Sequence, residues 1–317
     1  MGGILVRRLL GAVPILLIVS LITFGMIHLI PGDPATAIAG MSATQDQVAA
    51  IRHNLGLDQP LLSQLWAWYA NLLRGDLGRS LLLGQPVVQA TMLRLPVTLA
   101  LSAYALVLTL LIGMGSGIIA ALRQNTWIDQ VAMVLAMLGI SLPSFYLGLL
   151  MIIVFAVDLR WLPTGGYVPL TQDPAGWLAT STMPAIALAL LLAGLLARIT
   201  RSTMLEVLRQ DYIRTARAKG LPDRTVVLKH ALANALIPIT TVVGIIVSLL
   251  ISGSVVVETL FSIPGIGQLL TQAVLNRDYP MVQGGLLITT ALLVLVNIGV
   301  DLCYALLDPR VRYGGVP

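Results

Sequence analysis

DYIRTARAKGLPDRTVVLKHALANALIP, residues 211–238, joins two kinds of sequence in one run. Its first half is basic. With Arg209 just upstream, the stretch holds Arg214, Arg217, Lys219, Arg224 and Lys229. Its end turns apolar and enters a long hydrophobic segment. Glu206 to Lys219 contains neither Gly nor Pro, and Leu205, Leu208, Tyr212 and Ala216 recur at helical spacing. That spacing predicts one helix over 206–219. Asp211 can meet Arg214 or Thr215, three and four residues on. Gly220 suits the left-handed stop of that helix, and Pro222 cannot continue it. A second helix can start at Pro222 or Asp223 and run through Val226, Val227, His230, Ala231 and Asn234 into the apolar segment. Thr215, Ala216 and Ala218 keep one surface low. The result is a rigid helix–Gly–Pro–helix element fused to a hydrophobic span. It suits the docking of another protein. The alternative is a basic loop that fixes orientation and touches anionic lipid.

The rest of the chain says what that element is attached to. Of 317 residues, 57% are hydrophobic and 10% charged. Soluble domains carry about 25% charged residues. A mean hydropathy of +0.91 therefore places the chain in lipid. The net charge of +5 invites a nucleic-acid reading, which the placement of the charges removes. The single cysteine, Cys303, excludes an internal disulfide framework and a Cys-based zinc site. His28, His53 and His230 do not space as metal ligands.

Six segments are long and apolar enough to span a bilayer: 9–30, 96–122, 131–157, 179–197, 236–259 and 282–307. The first resembles a secretory signal, with Arg7 and Arg8 before it and Ala35-Thr36-Ala37 after it. Signal cores run about 7–15 residues, so this longer stretch reads as an uncleaved anchor. With a cytoplasmic N-terminus, thirteen of the nineteen Lys and Arg residues fall on the cytoplasmic side. The basic excess is then a topology signal, both termini are cytoplasmic, and 198–235 is the main cytoplasmic loop. The expected division is an N-terminal span over 1–30, an outer segment over 31–95, a five-helix core over 96–308 and a tail over 309–317.

In the outer segment, PGDP (31–34) stops the first span. Thr44 and Gln47 form a capping-box pattern ahead of Val48, Ile51 and Leu55, with Gly56 as the stop. A second helix is expected over 60–76. Its Trp66, Trp68 and Tyr69 suit either the lipid–water boundary or packing on the protein's own outer surface. Inside the spans, ionisable residues are few. Asp301 is expected to pair with a basic residue or cap a packing contact. Glu258 reads as a solvated residue at an outer end, and Asp129 and Asp158 as span-edge residues. Gly113 with Gly117, and Gly244 with Ser248 and Ser252, are four-residue repeats that let helix backbones approach. Pro143 in GISLPSF (139–145) should bend the third span. Ser141, Pro143 and Ser144, with Ser248 and Ser252, are the candidate translocation path.

The two lysines, Lys219 and Lys229, lie in no phosphate-binding loop, and the chain has no HExxH or GxSxG motif. No catalytic pair is legible, so an intramembrane enzyme lacks support. An autonomous ion-coupled transporter lacks its usual buried carriers.

TRSTMLEVLRQDYIRTARAKGLPDRTVVLKHALANALIPI (200–239) resembles the cytoplasmic signature of type I ABC importer permeases, in the dipeptide, oligopeptide, glutathione and nickel branch. PGDP, GDLGRS (75–80), ISLPSF and DLCYALLDPRVRYG (301–314) resemble that branch too, so the likeness covers nearly the whole chain. The broader permease signature has Glu-Ala-Ala where this chain has Arg214, Thr215 and Ala216, and a shorter Gly-to-Pro spacing than Gly220 to Pro238. Both departures are shared with the peptide and nickel branch.

The resemblance implies an all-α polytopic membrane protein with the type I importer fold, in the bacterial cytoplasmic (inner) membrane. It implies a non-enzymatic translocation subunit for di- and oligopeptides, glutathione or nickel. The lack of a His, Cys or carboxylate cluster in the spans favours peptides over nickel. Expected partners are a second homologous permease, two ABC ATPase subunits and an extracytoplasmic solute-binding protein. ATP and Mg belong to the ATPases, and no cofactor or nucleic acid to this chain. By the same resemblance Tyr212, Arg214, Thr215, Ala216, Arg217, Ala218, Lys219 and Gly220 form the ATPase contact. The outer segment 260–281 would lie near the binding protein and the outer gate.

Overall fold

A computed structural model describes residues 2–29, 35–36, 44–54 and 56–307. PGDP (31–34), Leu55 and the tail 309–317 lie outside these residues, as does the side chain of Asp301. The described residues are helical almost throughout, as their composition dictates, since a backbone in lipid must satisfy its own hydrogen bonds. The helices are α1 (Gly2–Leu29), α2 (Gln45–Asn54), α3 (Leu61–Leu73), α4 (Val87–Leu122), α5 (Trp127–Ser141), α6 (Ser144–Asp158), α7 (Pro174–Leu208), α8 (Asp211–Ala218), α9 (Asp223–Leu260), α10 (Ile266–Leu275) and α11 (Tyr279–Leu307). Five helices among the described residues are long and apolar enough to cross a membrane. The count reaches six when the pair α5 and α6, bent by 102° at a short break, is taken as one span. π-Helical turns interrupt α4 at Leu110–Met114, end α6 at Ile152–Asp158 and open α9 at Val226–Ala231.

The chain forms two compact units. One comprises residues 2–96 and 265–295. In it Thr44 and Gln47 close the expected capping box, through Thr44 N–H to Gln47 Oε1 at 3.0 Å and Gln47 N–H to Thr44 Oγ1 at 3.4 Å. Gly56 has φ +66°, the left-handed stop. α3 packs on the protein's own surface, one of its two expected placements. Tyr69 Oη is 2.8 Å from Ser20 Oγ of α1 and Trp68 packs on Phe24, while Trp66 is exposed. The GDLGRS segment turns at Gly75 and Gly78. Ser80 donates to the buried carboxylate of Asp278 (2.5 Å), which also accepts from Leu82 N–H (3.1 Å) and Met281 N–H (3.3 Å). Two segments far apart in sequence are thus tied at one carboxylate.

The other unit holds 97–264 and 296–307. Its core is built on α7. A Cβ on Gly113 would lie 2.9 Å from the Ala193 carbonyl oxygen, and one on Gly117 2.6 Å from that of Ala197. On α5, a Cβ on Gly139 would lie 2.8 Å from the Leu190 carbonyl oxygen. A Cβ on Gly194 would meet the Ala136 carbonyl oxygen. Small residues here let backbones touch, the packing expected for Gly113 and Gly117.

Three expectations need correction. The third span is broken, not merely bent: Leu142 and Pro143 are both extended, with ψ of 124° and 141°, and Ser144 starts a new helix. Pro96, Pro184 and Pro238 sit inside unbroken helices. Proline alone therefore does not break a helix here; the extended residue before it does. The helix that carries the fourth span does not stop at 197, where the cytoplasmic loop was expected to begin. Residues 198–208 contain no Gly or Pro, and α7 continues to Leu208. Finally, Glu258 is not solvated. It is fully buried, and Thr98 Oγ1 donates to its Oε1 at 2.8 Å. Thr98→Val removes a donor from a buried carboxylate and should cost about 1–3 kcal/mol. A lower melting temperature is expected in detergent, with Thr98→Ser close to wild type. Equal melting of the Val and Ser variants would show the bond to be dispensable.

Candidate functional site

The basic element folds as a capped hairpin of two helices, with one change from the sequence reading. The helix expected over 206–219 is interrupted. α7 ends at Leu208, Gln210 is extended (φ −69°, ψ 148°), and α8 restarts at Asp211. Ile213 is fully buried and Ala216 nearly so, in one apolar cluster with Met204, Val226, Val227 and Ala231. Tyr212, expected on the inward face with Ala216, is instead 44% exposed. Restarting the helix at Asp211 rotates its face, so Ile213 and Ala216, three apart, become the inward pair.

The end of α8 is a Schellman motif. Leu221 N–H reaches the Ala216 carbonyl (3.4 Å) and Gly220 N–H that of Arg217 (2.9 Å), with Gly220 at φ +76°. Pro222 then precedes the first turn of α9, which continues unbroken into the membrane-spanning segment ending at Leu260. Asp211 meets both expected partners: Arg214 Nη1 lies 3.5 Å from its carboxylate, and Thr215 Oγ1 donates to its carbonyl at 2.9 Å. Arg217 Nε donates to Asp223 Oδ1 at 3.2 Å across the Gly–Pro turn. These ion pairs are exposed and add little stability; they orient the guanidinium groups.

Of the eight nominated residues, Tyr212, Arg214, Thr215, Arg217, Ala218, Lys219 and Gly220 are exposed, while Ala216 is buried and serves as scaffold. Leu221, which the sequence reading did not select, is also exposed beside Gly220. The surface is therefore short, rigid and basic, with an aromatic ring at one end.

The candidate path residues are more scattered. Ser141, Pro143 and Ser144 flank the α5–α6 break, and Ser141 Oγ donates to the Met137 carbonyl (2.8 Å). Ser248 Oγ donates to Asn297 Oδ1 (2.5 Å) and to the Gly244 carbonyl (3.4 Å). A Cβ on Gly244 would meet Val300, so this stripe packs α9 on α11. Ser252 is exposed on α9. A groove of about 670 Å³ lies among α4, α5 and α7, and its lining is apolar except for Ser116 and the Trp127 indole. It gives no polar route.

A part-buried ion pair also emerges that the sequence reading missed. Asp129, placed at a span edge, is 3% exposed. It holds Arg201 of α7 in a fork, Nε to Oδ1 at 2.5 Å and Nη2 to Oδ2 at 2.7 Å, and accepts Asn125 N–H at 2.9 Å. No local signal links residues 72 apart in sequence.

Two family models match. Residues 113–313 match the binding-protein-dependent transport system inner membrane component, and residues 1–102 match the N-terminal part of such membrane components. A Brucella abortus protein named for a peptide transport system permease is 50% identical over 99% of this chain and 100% of its own length. The glutathione transport system permease protein GsiC of Escherichia coli O6:H1 is 43% identical over 97% of this chain and 98% of its own. Among solved structures, an inward-facing MetNI methionine ABC transporter aligns with TM-score 0.57 at 18% identity, covering 70% of this chain and 97% of that one. That likeness shows the fold.

Proposed function

The chain belongs to the binding-protein-dependent transport system inner membrane components, and on that premise we propose that it passes di- or oligopeptides, glutathione included, through an ATP-driven importer. It is a multi-pass inner-membrane permease subunit, and as such not itself an enzyme. The observation that carries the reading is α8: a short exposed helix, capped at Gly220 and continuous through Pro222 with a membrane-spanning helix. A push on such a helix is delivered to the span rather than absorbed by a flexible loop. In this reading two ATPase subunits bind ATP and Mg and grip the α8 surfaces of this chain and of a homologous permease. A solute-binding protein delivers substrate from outside, and the names of the relatives favour peptide and glutathione over nickel.

Gentle purification of the tagged chain from its native membrane tests this. Two ATPases and a sister permease should accompany it, and the associated binding protein should bind short peptides or glutathione. Recovery of the chain alone, with ion-driven uptake, would overturn the reading.

Arg217→Glu places a carboxylate beside Asp223, where a guanidinium now sits. Capture of the ATPases should weaken on the order of tenfold, the effect of about 1.4 kcal/mol. Equal co-purification with wild type would remove Arg217 from the contact.

A further inference from the structure

The geometry points to the Asp129–Arg201 pair as the positioning element that makes α7 and its cytoplasmic extension move as one lever with α4 and α5. This inference rests on the coupling role of α8. Arg201 lies on α7 between two sets of contacts. On one side of Arg201, α7 is held against α4 and α5 by glycine contacts, at Gly117 opposite Ala197 and Thr200 and at Gly194 opposite Ala136. On the other side, Met204 is buried in the cluster that contains Ile213 of α8 and Val226 of α9. From Arg201 to Leu208 is about 10 Å of helix at about 1.5 Å per residue, and α8 follows after a two-residue break.

Asp129 ties this part of α7 to the start of α5. Its carboxylate accepts both guanidinium bonds and also holds Asn125, whose φ of +63° completes the turn before α5. A bidentate fork fixes orientation as well as distance. At 3% exposure the carboxylate has no comparable solvent alternative to its protein partners. A displacement of α8 therefore reaches the α4–α5–α7 block instead of being lost as flexing of α7.

The test uses the whole complex, with ATPases and binding protein, in proteoliposomes. Tripeptide or glutathione uptake is measured alongside ATP hydrolysis for Asp129→Asn and Arg201→Lys. Asn still accepts from Asn125 but loses the charge; Lys keeps the charge but loses the fork. For Asp129→Asn we expect unchanged ATPase capture and basal hydrolysis, with substrate moved per ATP reduced about fivefold to tenfold. Arg201→Lys should fall between this variant and wild type. A wild-type transport-to-hydrolysis ratio in Asp129→Asn overturns the inference. If that variant fails to accumulate, a wild-type ratio in Arg201→Lys overturns it instead. A wild-type chain that captures no ATPase refutes the coupling role itself, a result distinguishable from either.

Discussion

Gly220→Val is expected to leave the protein in the membrane and abolish productive coupling, with substrate-stimulated ATPase activity in the reconstituted complex reduced more than tenfold. Gly220 holds φ +76° at the end of α8, and nothing lies within 4 Å of where its Cβ would be. The obstacle is therefore the backbone alone. The left-handed conformation costs an L-residue about 1–2 kcal/mol, and a β-branched side chain tolerates it worst. A valine there would relax toward φ below zero, break the Gly220–Arg217 and Leu221–Ala216 bonds, and swing α8 off Pro222. Gly220→Asn should retain much of the activity, because Asn enters the left-handed region readily. Normal stimulated hydrolysis in the Val variant would show that the turn does not set the coupling geometry.

Gly117→Val should act on folding rather than on coupling. A Cβ at this position would stand 2.6 Å from the Ala197 carbonyl oxygen and 2.7 Å from Thr200 Cβ. Neither is the free end of a flexible chain, so α4 and α7 must separate. Overpacking costs about 1–3 kcal/mol, and more where backbone must move. The membrane level of the variant should fall severalfold, with a lower aggregation temperature after solubilisation. Gly115→Val is the matched control, in the same helix with nothing within 4 Å of its Cβ. Indistinguishable behaviour of the two variants would remove the close approach from the account of stability.

The contrast between these two glycines shows what a one-dimensional reading can carry. Gly220 was legible because its neighbours, a polar helix behind and Pro222 ahead, define a local stop. The repeat at Gly113 and Gly117 announced a close approach but not its partner. The spans themselves followed from composition, because lipid leaves few alternatives to a long apolar helix. Their ends did not. Residues 198–208 look like a loop because Arg198 and Arg201 are charged, yet charge outside the bilayer does not stop a helix. The break at Arg209 and Gln210 lacks Gly or Pro, so it leaves no mark, and Tyr212 takes the inward place in the sequence pattern that Ile213 holds in the structure, with Ala216 inward in both. Glu258 and Asp129 were read as edge residues because Thr98 and Arg201, which bind them, lie 160 and 72 residues away. Buried polar pairs of this kind depend on tertiary structure, which periodicity does not register.

Each half of the broken span, Trp127–Ser141 and Ser144–Asp158, rises only about 22 Å at about 1.5 Å per residue, short of a hydrocarbon core about 30 Å thick. Neither half can enter the bilayer as an independent anchor, and the extended peptide between them would leave backbone groups bare in lipid. The contact at Gly139 and Gly194 holds α5 against α7, but α7 leaves the ribosome only after both halves have been made. Biogenesis of this chain is therefore expected to have an order, with α5 and α6 held near the insertion machinery until α7 arrives. A truncation ending before Pro174 should expose the 141–144 joint to quality-control proteases, whereas one ending after Leu208 should not.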